Sequence, residues 1–416
     1  MNRRFVHALV AGSLAALALS GCGNSREAAG GVDGCDPGIT DDTIKLGAST
    51  MQSGAAAAYK AMPQASLALF DEVNEAGGVT MGDGKKRKIE FVSLDDAYDP
   101  ARAVKNTRQL VEKDQVFAIF QAAGTSPTLA IMDYTTKAGV PIVFAATGSD
   151  EFQKKRDEGA TIAAFMLPQV GFENEVMVRS IEQIDPDATI AVLYPNDGLG
   201  KGSLAGLKDL VKDTGLKVVA EESYEQTSTS VDSQIVNLKS SGADVFVNFG
   251  TGTFVTQALK KANEIDWDVE KFVISASTDV STVLAPAGED AAEGVRSVAW
   301  VYDVSSDANN DMPGVENWRE FAERNKDRVD THNSIAALGY NNSQMMLKAL
   351  EEFDGCTREG LLETVQKLRG VETDLGLEGI TFGSGDADYP YAITSMATMQ
   401  FLDGKWEYAD VITRDK

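Results

Sequence analysis

From residue 43 onward, short apolar segments rich in β-branched and aromatic residues alternate with amphipathic stretches, which leaves few folds open to this chain. "TIKLGAST" (43–50), "KIEFVSLDD" (88–96), "VFAIFQAA" (116–123) and "PIVFAAT" (141–147) predict strands. Between them, "AAYKAMPQASLALFDEVNEAGG" (57–78), "DPARAVKNTRQLVEKD" (99–114) and "SPTLAIMDYTTKAG" (126–139) carry helical spacing. Near-continuous apolar strands separated by helices make a parallel sheet covered on both faces. The rhythm pauses around "TIAAFMLPQVG" (161–171). It restarts with strand segments at 189–197, 217–225, 244–250 and 271–277, again with helices between them. A second α/β lobe follows. Three helical segments within 314–370 and strand-like segments at 376–383 and 393–413 complete the pattern.

The first 21 residues stand apart. Arg3 and Arg4 precede the apolar run "VHALVAGSLAALALS", the layout of an export signal. The run ends in "LSGC", which resembles the bacterial lipoprotein cleavage box and makes Cys22 the expected lipid-bearing first residue of the mature protein. Residues 22–41 then read as a lipidated flexible tether. Export permits disulfides, and the two remaining cysteines, Cys35 and Cys356, are expected to pair, two free thiols being the alternative. With 63 acidic residues against 38 Lys plus Arg, the chain repels phosphate backbones, so nucleic acid is not an expected partner.

Little here supports catalysis. After the export signal one histidine remains, His332, too little for a nucleophilic triad or a transition-metal site, and we expect no cofactor and no metal. "GLGKGS" lacks the order of a phosphate loop. "DANNDMPGVENW" has Met312 where a calcium loop needs Gly and Trp318 where it needs Glu. Asp95 and Asp96, at a strand end before a capped helix, read as structural.

Gly124 and Thr125 end a strand, and the reading places Ser126 as helix N-cap with Pro127 at the first helical position. Free N–H groups and hydroxyls at a helix's positive end suit a carboxylate. Ala145, Ala146 and Thr147 end the next strand and are expected to add N–H groups and a hydroxyl.

In order and spacing, "SGAAAAY" (53–59), "FDEVNEAGG" (70–78), "SLDDAYDPARAV" (93–104), "GTSPT" (124–128), "AGVPIVFAATG" (138–148), "GLGKG" (198–202) and "GEDAAEG" (288–294) resemble the branched-chain amino acid (leucine/isoleucine/valine) type of substrate-binding lipoprotein of ABC importers. The resemblance covers nearly all of 42–410. It implies a type I periplasmic-binding fold, two Rossmann-like lobes joined by a three-crossover hinge. Lobe one would be 42–163 plus 302–378 and lobe two 164–301 plus 379–416. It implies a solute held between the lobes and delivered to permease subunits, with the protein lipid-anchored outside the cell membrane. A sensor of the same fold is the alternative, and an exported enzyme a more distant one. The implied ligand residues are the two corners above, Tyr59 as an aromatic wall, and Leu199, Thr251 and Ser277 from the second lobe. Thr251 and Ser277 stand where the amino-acid binders use a tyrosine and an acid, and Leu199 replaces another aromatic. Either Asp279 supplies the carboxylate for a ligand ammonium, or the ligand is an acid or amide without one.

Overall fold

Thr43–Thr50 is almost wholly buried because it lies inside a parallel sheet, flanked by Lys86–Asp95 on one side and Ala118–Phe120 on the other. In this computed structural model, which describes residues 34–225 and 227–414, that sheet continues through Ile142–Val143 to Ile162–Ala163. A short antiparallel strand, Val79–Thr80, closes its other edge. The second sheet repeats the plan: Thr189–Pro195 lies between Lys217–Tyr224 and Val245–Asn248, followed by Glu270–Val273 and Arg296–Ala299. An antiparallel hairpin, Ser395–Leu402 and Lys405–Thr413, extends it. Helices flank both sheets, giving two α/β lobes. In each, strand order reverses beside the first strand of the lobe, the place where open α/β sheets form a ligand crevice beyond the carboxyl ends of their strands.

The first lobe's core carries a chain of aromatic rings from Phe70 to Phe91, Phe120 and Phe144, with centroids 5.8, 5.5 and 6.4 Å apart. This chain leads directly to the strand ends that form the crevice. Helix Ser334–Glu352 packs along helix Ala61–Glu75 over the same sheet. The predicted helix from residue 57 starts later than expected: Gly54–Lys60 is a 3₁₀ segment, and the α-helix begins at Ala61.

The chain leaves the first lobe after Ile162–Ala163 for helix Val170–Ile184, and after Arg296–Ala299 it returns to pack helices on the first lobe. The sequence reading ends the first lobe at 378, but residues beyond that point still pack on it. Phe382–Ser384 pairs with Arg369–Val371, Tyr389 and Tyr391 join the cluster containing Phe152 and Phe165, and Tyr391 Oη donates to the Ser149 carbonyl (2.6 Å). The chain enters the second sheet only at Ser395.

Cys35 and Cys356 are disulfide-bonded. Beside them the buried Arg358 guanidinium donates to the Val116 (2.8 Å) and Phe117 (3.1 Å) carbonyls, and the Asp36 carboxylate accepts the Arg358 amide (2.7 Å). The N-terminal segment is thus pinned at the amino end of Ala118–Phe120, opposite the crevice. Cys22 and the expected export signal lie outside the described residues, and no described helix is long and apolar enough to cross a membrane.

Candidate functional site

Three neighbouring strands of the first sheet each end in a left-handed residue: Gln121 (φ 61°), Phe144 (φ 55°) and Ala164 (φ 53°). Register aligns them, because Phe120 pairs with Val143 and Val143 with Ala163. Each such residue costs about 1–2 kcal/mol, and all three are buried, where packing holds them. Their shared bend re-aims the segments that follow, as irregular pairing beside functional sites does.

Pairing resumes past the bend. The Ala146 amide donates to the Ala122 carbonyl (2.8 Å), Gly124 to Ala146 (3.2 Å) and Met166 to Ala145 (2.8 Å). The expected free amide at Ala146 is therefore taken, because the sheet extends through this corner. Ala145 and Ala146 contribute buried small side chains instead. The helix cap also differs from expectation. Gly124, not Ser126, is the N-cap of Thr125–Lys137, at φ 83° and ψ 144°, a backbone region in effect reserved for glycine. Thr125 and Ser126 thus occupy the first two helical positions. Their amides have no partner within the helix, while Pro127 has no N–H and Thr128 donates to the Gly124 carbonyl (3.2 Å). Thr125 Oγ1 and Thr147 Oγ1 lie 3.0 Å apart. Two N–H groups and two hydroxyls thus converge at a positive helix end, an arrangement suited to a carboxylate.

Tyr59 is packed against the buried cluster of Met51, Met62, Ala123 and Ala146 beside this corner, as are Ile335 and Leu338 from helix Ser334–Glu352. Burial pushes its phenol pKa up. A second aromatic, Tyr98, was not anticipated. Both Ala97 (φ 52°) and Tyr98 (φ 64°) are left-handed. Asp95 accepts the Ala97 amide (2.9 Å) and Asp96 the Tyr98 amide (2.9 Å), while Ser53 (2.6 Å) and Ser49 (2.7 Å) donate to the same two carboxylates. Burial lifts Asp96 above the usual carboxylate range. Asp95 is also penalised by burial, but hydrogen bonds from Ser53, Gln52 and Ala97 hold it below that range. The acid pair is structural, and its product is the placement of the Tyr98 ring against Gly124. The signal in the sequence was the acid pair Asp95-Asp96, one residue short of that tyrosine.

From the second lobe, Leu199 is half-exposed in the first turn of Gly198–Leu210, whose N-cap Asp197 accepts the Gly200 amide (3.0 Å). Thr251 is half-buried between Val245–Asn248 and Thr253–Glu264. Ser277 does not face the crevice: it is fully buried, and its hydroxyl donates to the Gly250 carbonyl (2.9 Å). Asp279 is committed too. Its Oδ1 caps the next turn, accepting the Thr282 amide (2.9 Å) and the Ser281 (2.8 Å) and Thr282 (2.9 Å) hydroxyls, and its Oδ2 accepts the hydroxyl of Ser334 from the other lobe (2.7 Å). Among the described residues, Leu199, Thr251 and Ser277 make no hydrogen bond to the first-lobe corner.

Residues 43–405 match a protein-family model described as periplasmic binding protein. The chain belongs to the periplasmic binding protein family. Among its relatives, this binding protein is 25% identical over 391 residues to Leu/Ile/Val-binding protein homolog 7 of Brucella abortus, covering 87% of this chain and 94% of that one. It is 26% identical over 255 residues to the leucine-, isoleucine-, valine-, threonine- and alanine-binding protein of Pseudomonas aeruginosa, covering 61% and 65%. Solved structures share the fold. A branched-chain amino acid ABC transporter protein of Thermus thermophilus with bound valine superposes with TM-score 0.75 at 14% identity, over 89% of this chain and 97% of that one. A fatty acid ABC transporter substrate-binding protein of Thermomonospora curvata gives TM-score 0.75 at 21% identity, over 93% and 97%. The two-lobed type I fold expected from the sequence is thus the fold of this binding protein, and its family is extracytoplasmic.

One more acid of this binding protein escaped the sequence reading. Glu173, in helix Val170–Ile184, is buried and accepts the Ser275 amide (2.6 Å) at the carboxyl end of Glu270–Val273. Burial raises its pKa. A folded-state value above the unfolded one means the folded protein holds the extra proton between the two. Stability from this group is full below the ordinary carboxylate range and is lost as pH rises through the folded value. Glu173→Gln, whose carbonyl still accepts from Ser275, is expected to raise the urea midpoint at pH 7 and leave it unchanged at pH 4. Asp96 and Asp303 are raised in the same direction but are common to both proteins, so the difference isolates Glu173. His332 is exposed on the surface, with Nε2 2.9 Å from Asp307 Oδ1.

Proposed function

We propose that this binding protein captures a small carboxylate-bearing solute between its lobes and hands it to the permease of an ABC importer, tethered to the membrane through lipid on Cys22 and the 22–41 segment. The observation that carries this reading is the corner of the Thr125 and Ser126 amides with the Thr125 and Thr147 hydroxyls, 3.0 Å apart. The lobes would run 42–163 plus 302–392 and 164–301 plus 393–416, the boundary moving from 378 because residues 379–392 pack on the first lobe. The family's Leu/Ile/Val-binding members and a fold neighbour with bound valine support an amino acid as the solute.

A second reading, an acid without an ammonium, is favoured by the second lobe. Ser277 is sealed and Asp279 has both oxygens occupied, while burying an unpaired cation costs several kcal/mol. One fold neighbour is named for fatty acid transport. Thermal shift with leucine, 4-methylpentanoate and leucinamide separates the readings. A compound at 100 times its Kd adds about 2.7 kcal/mol. Leucine alone shifting the melting point supports the amino acid, and 4-methylpentanoate shifting it more supports the ammonium-free acid. A shift by leucinamide alone refutes carboxylate capture. For whichever carboxylate binds, Thr147→Val, which keeps shape and loses the hydroxyl, is expected to weaken affinity about tenfold, the effect of ~1.4 kcal/mol from a charge-assisted hydrogen bond.

A further inference from the structure

The backbone strain at Ala97 and Tyr98 has no role in the sheets or the helices around it. Two successive left-handed residues, neither of them glycine, are held there by Asp95 and Asp96. Strain of this kind persists where surroundings over-determine it, and it clusters at ligand clamps. Its result is an aromatic ring that stays 45% exposed yet lies over Gly124: a Cβ at Gly124 would fall 2.5 Å from Tyr98 Cε2 and 3.0 Å from Cδ2.

We propose that Tyr98 is a specificity-determining residue that roofs the anion corner and closes the mouth of the crevice against the helix start at Asp197–Leu199 of the second lobe. This rests on the carboxylate reading and extends it: the solute carries an apolar chain that leaves the corner between Tyr98 and Leu199. Leu199, 38% exposed, follows Asp197 at that helix start and presents the second apolar surface. The groups acting on the Tyr98 phenol agree with the placement. Burial raises its pKa first, and the charges of Asp197 from the second lobe, Tyr59 and Asp96 raise it further.

The test compares wild type, Tyr98→Phe and Tyr98→Asn, because asparagine tolerates the left-handed region while removing the ring. The probe is whichever of leucine, 4-methylpentanoate and leucinamide the wild type binds most tightly, so failure of the carboxylate reading is seen in the wild type and failure of this proposal in the variants. Calorimetry and stopped-flow are expected to show Tyr98→Asn binding at least tenfold more weakly, through faster dissociation, with Tyr98→Phe within threefold of wild type. The ligand-free Tm of Tyr98→Asn is expected to match or exceed wild type, since strain is relieved. Wild-type affinity in Tyr98→Asn, or a ligand-free Tm that falls in step with affinity as for a merely structural ring, would overturn the proposal.

Discussion

Gly124→Ala is expected to lower the stability of the protein by about 2–3 kcal/mol and to abolish binding of the proposed solute. The backbone there, φ 83° with ψ 144°, costs a non-glycine residue about 1–3 kcal/mol. The new methyl group would also meet the Tyr98 ring at 2.5 Å, so the ring must swing away or the helix start must shift. Either movement displaces the Thr125 and Ser126 amides or unroofs them. Urea denaturation and calorimetry on Gly124→Ala, and on Gly124→Ala with Tyr98→Ala, divide the two terms. The double variant loses the clash and keeps the backbone strain, so it remains less stable than Tyr98→Ala alone. Equal stability of those two would show that the backbone imposes no cost.

Replacing Cys35 and Cys356 together by serine is expected to cost about 3–5 kcal/mol. The bond closes a loop across 321 residues, for which loop-closure entropy sets an upper bound of roughly 5–6 kcal/mol. Measured losses run below that bound, and here Arg358 and Asp36 still hold the segment in place after the bond is gone. Solute affinity is expected to stay within twofold of wild type, because the bond sits at the amino end of Ala118–Phe120 and the corner lies at the opposite end of that strand. Urea midpoints with and without reductant read the stability. A tenfold affinity loss would show instead that the two ends of the lobe are coupled.

The architecture was legible because strand burial and helical spacing are properties of local composition. Thr43–Thr50 and Val245–Asn248 read as buried strands and are buried strands. Asp99 and Pro100 read as a helix start, and Asp99 accepts the Ala101 (2.7 Å) and Arg102 (3.0 Å) amides. The two strand-end corners differ from the sequence reading at two positions: the Ala146 amide is taken by the Ala122 carbonyl, and Gly124 is the helix cap. Ser126 and Pro127 have the chemistry of a cap, yet the bend at Gln121 and Phe144 brings Gly124 into that place. Neither residue announces a left-handed backbone, because that conformation is imposed by neighbouring strands in register. The same holds for Tyr98, which its own residue type would put in an ordinary loop. The second lobe was least legible. Whether Ser277 or Asp279 faces a ligand depends on how a strand end turns, and both turn toward partners within the protein, Gly250 and Ser334. Glu173 was missed for the converse reason: it reads as one more acid on a helix, and only tertiary packing makes it a buried one.

The most direct test of the central claim is a crystal structure of the protein with its tightest-binding carboxylate. The solute's carboxylate oxygens are expected within about 2.7–3.2 Å of the Thr125 and Ser126 amide nitrogens, with the Thr147 hydroxyl turned toward them. A carboxylate bound elsewhere, or a solute that presents a neutral or cationic end to this corner, would contradict it.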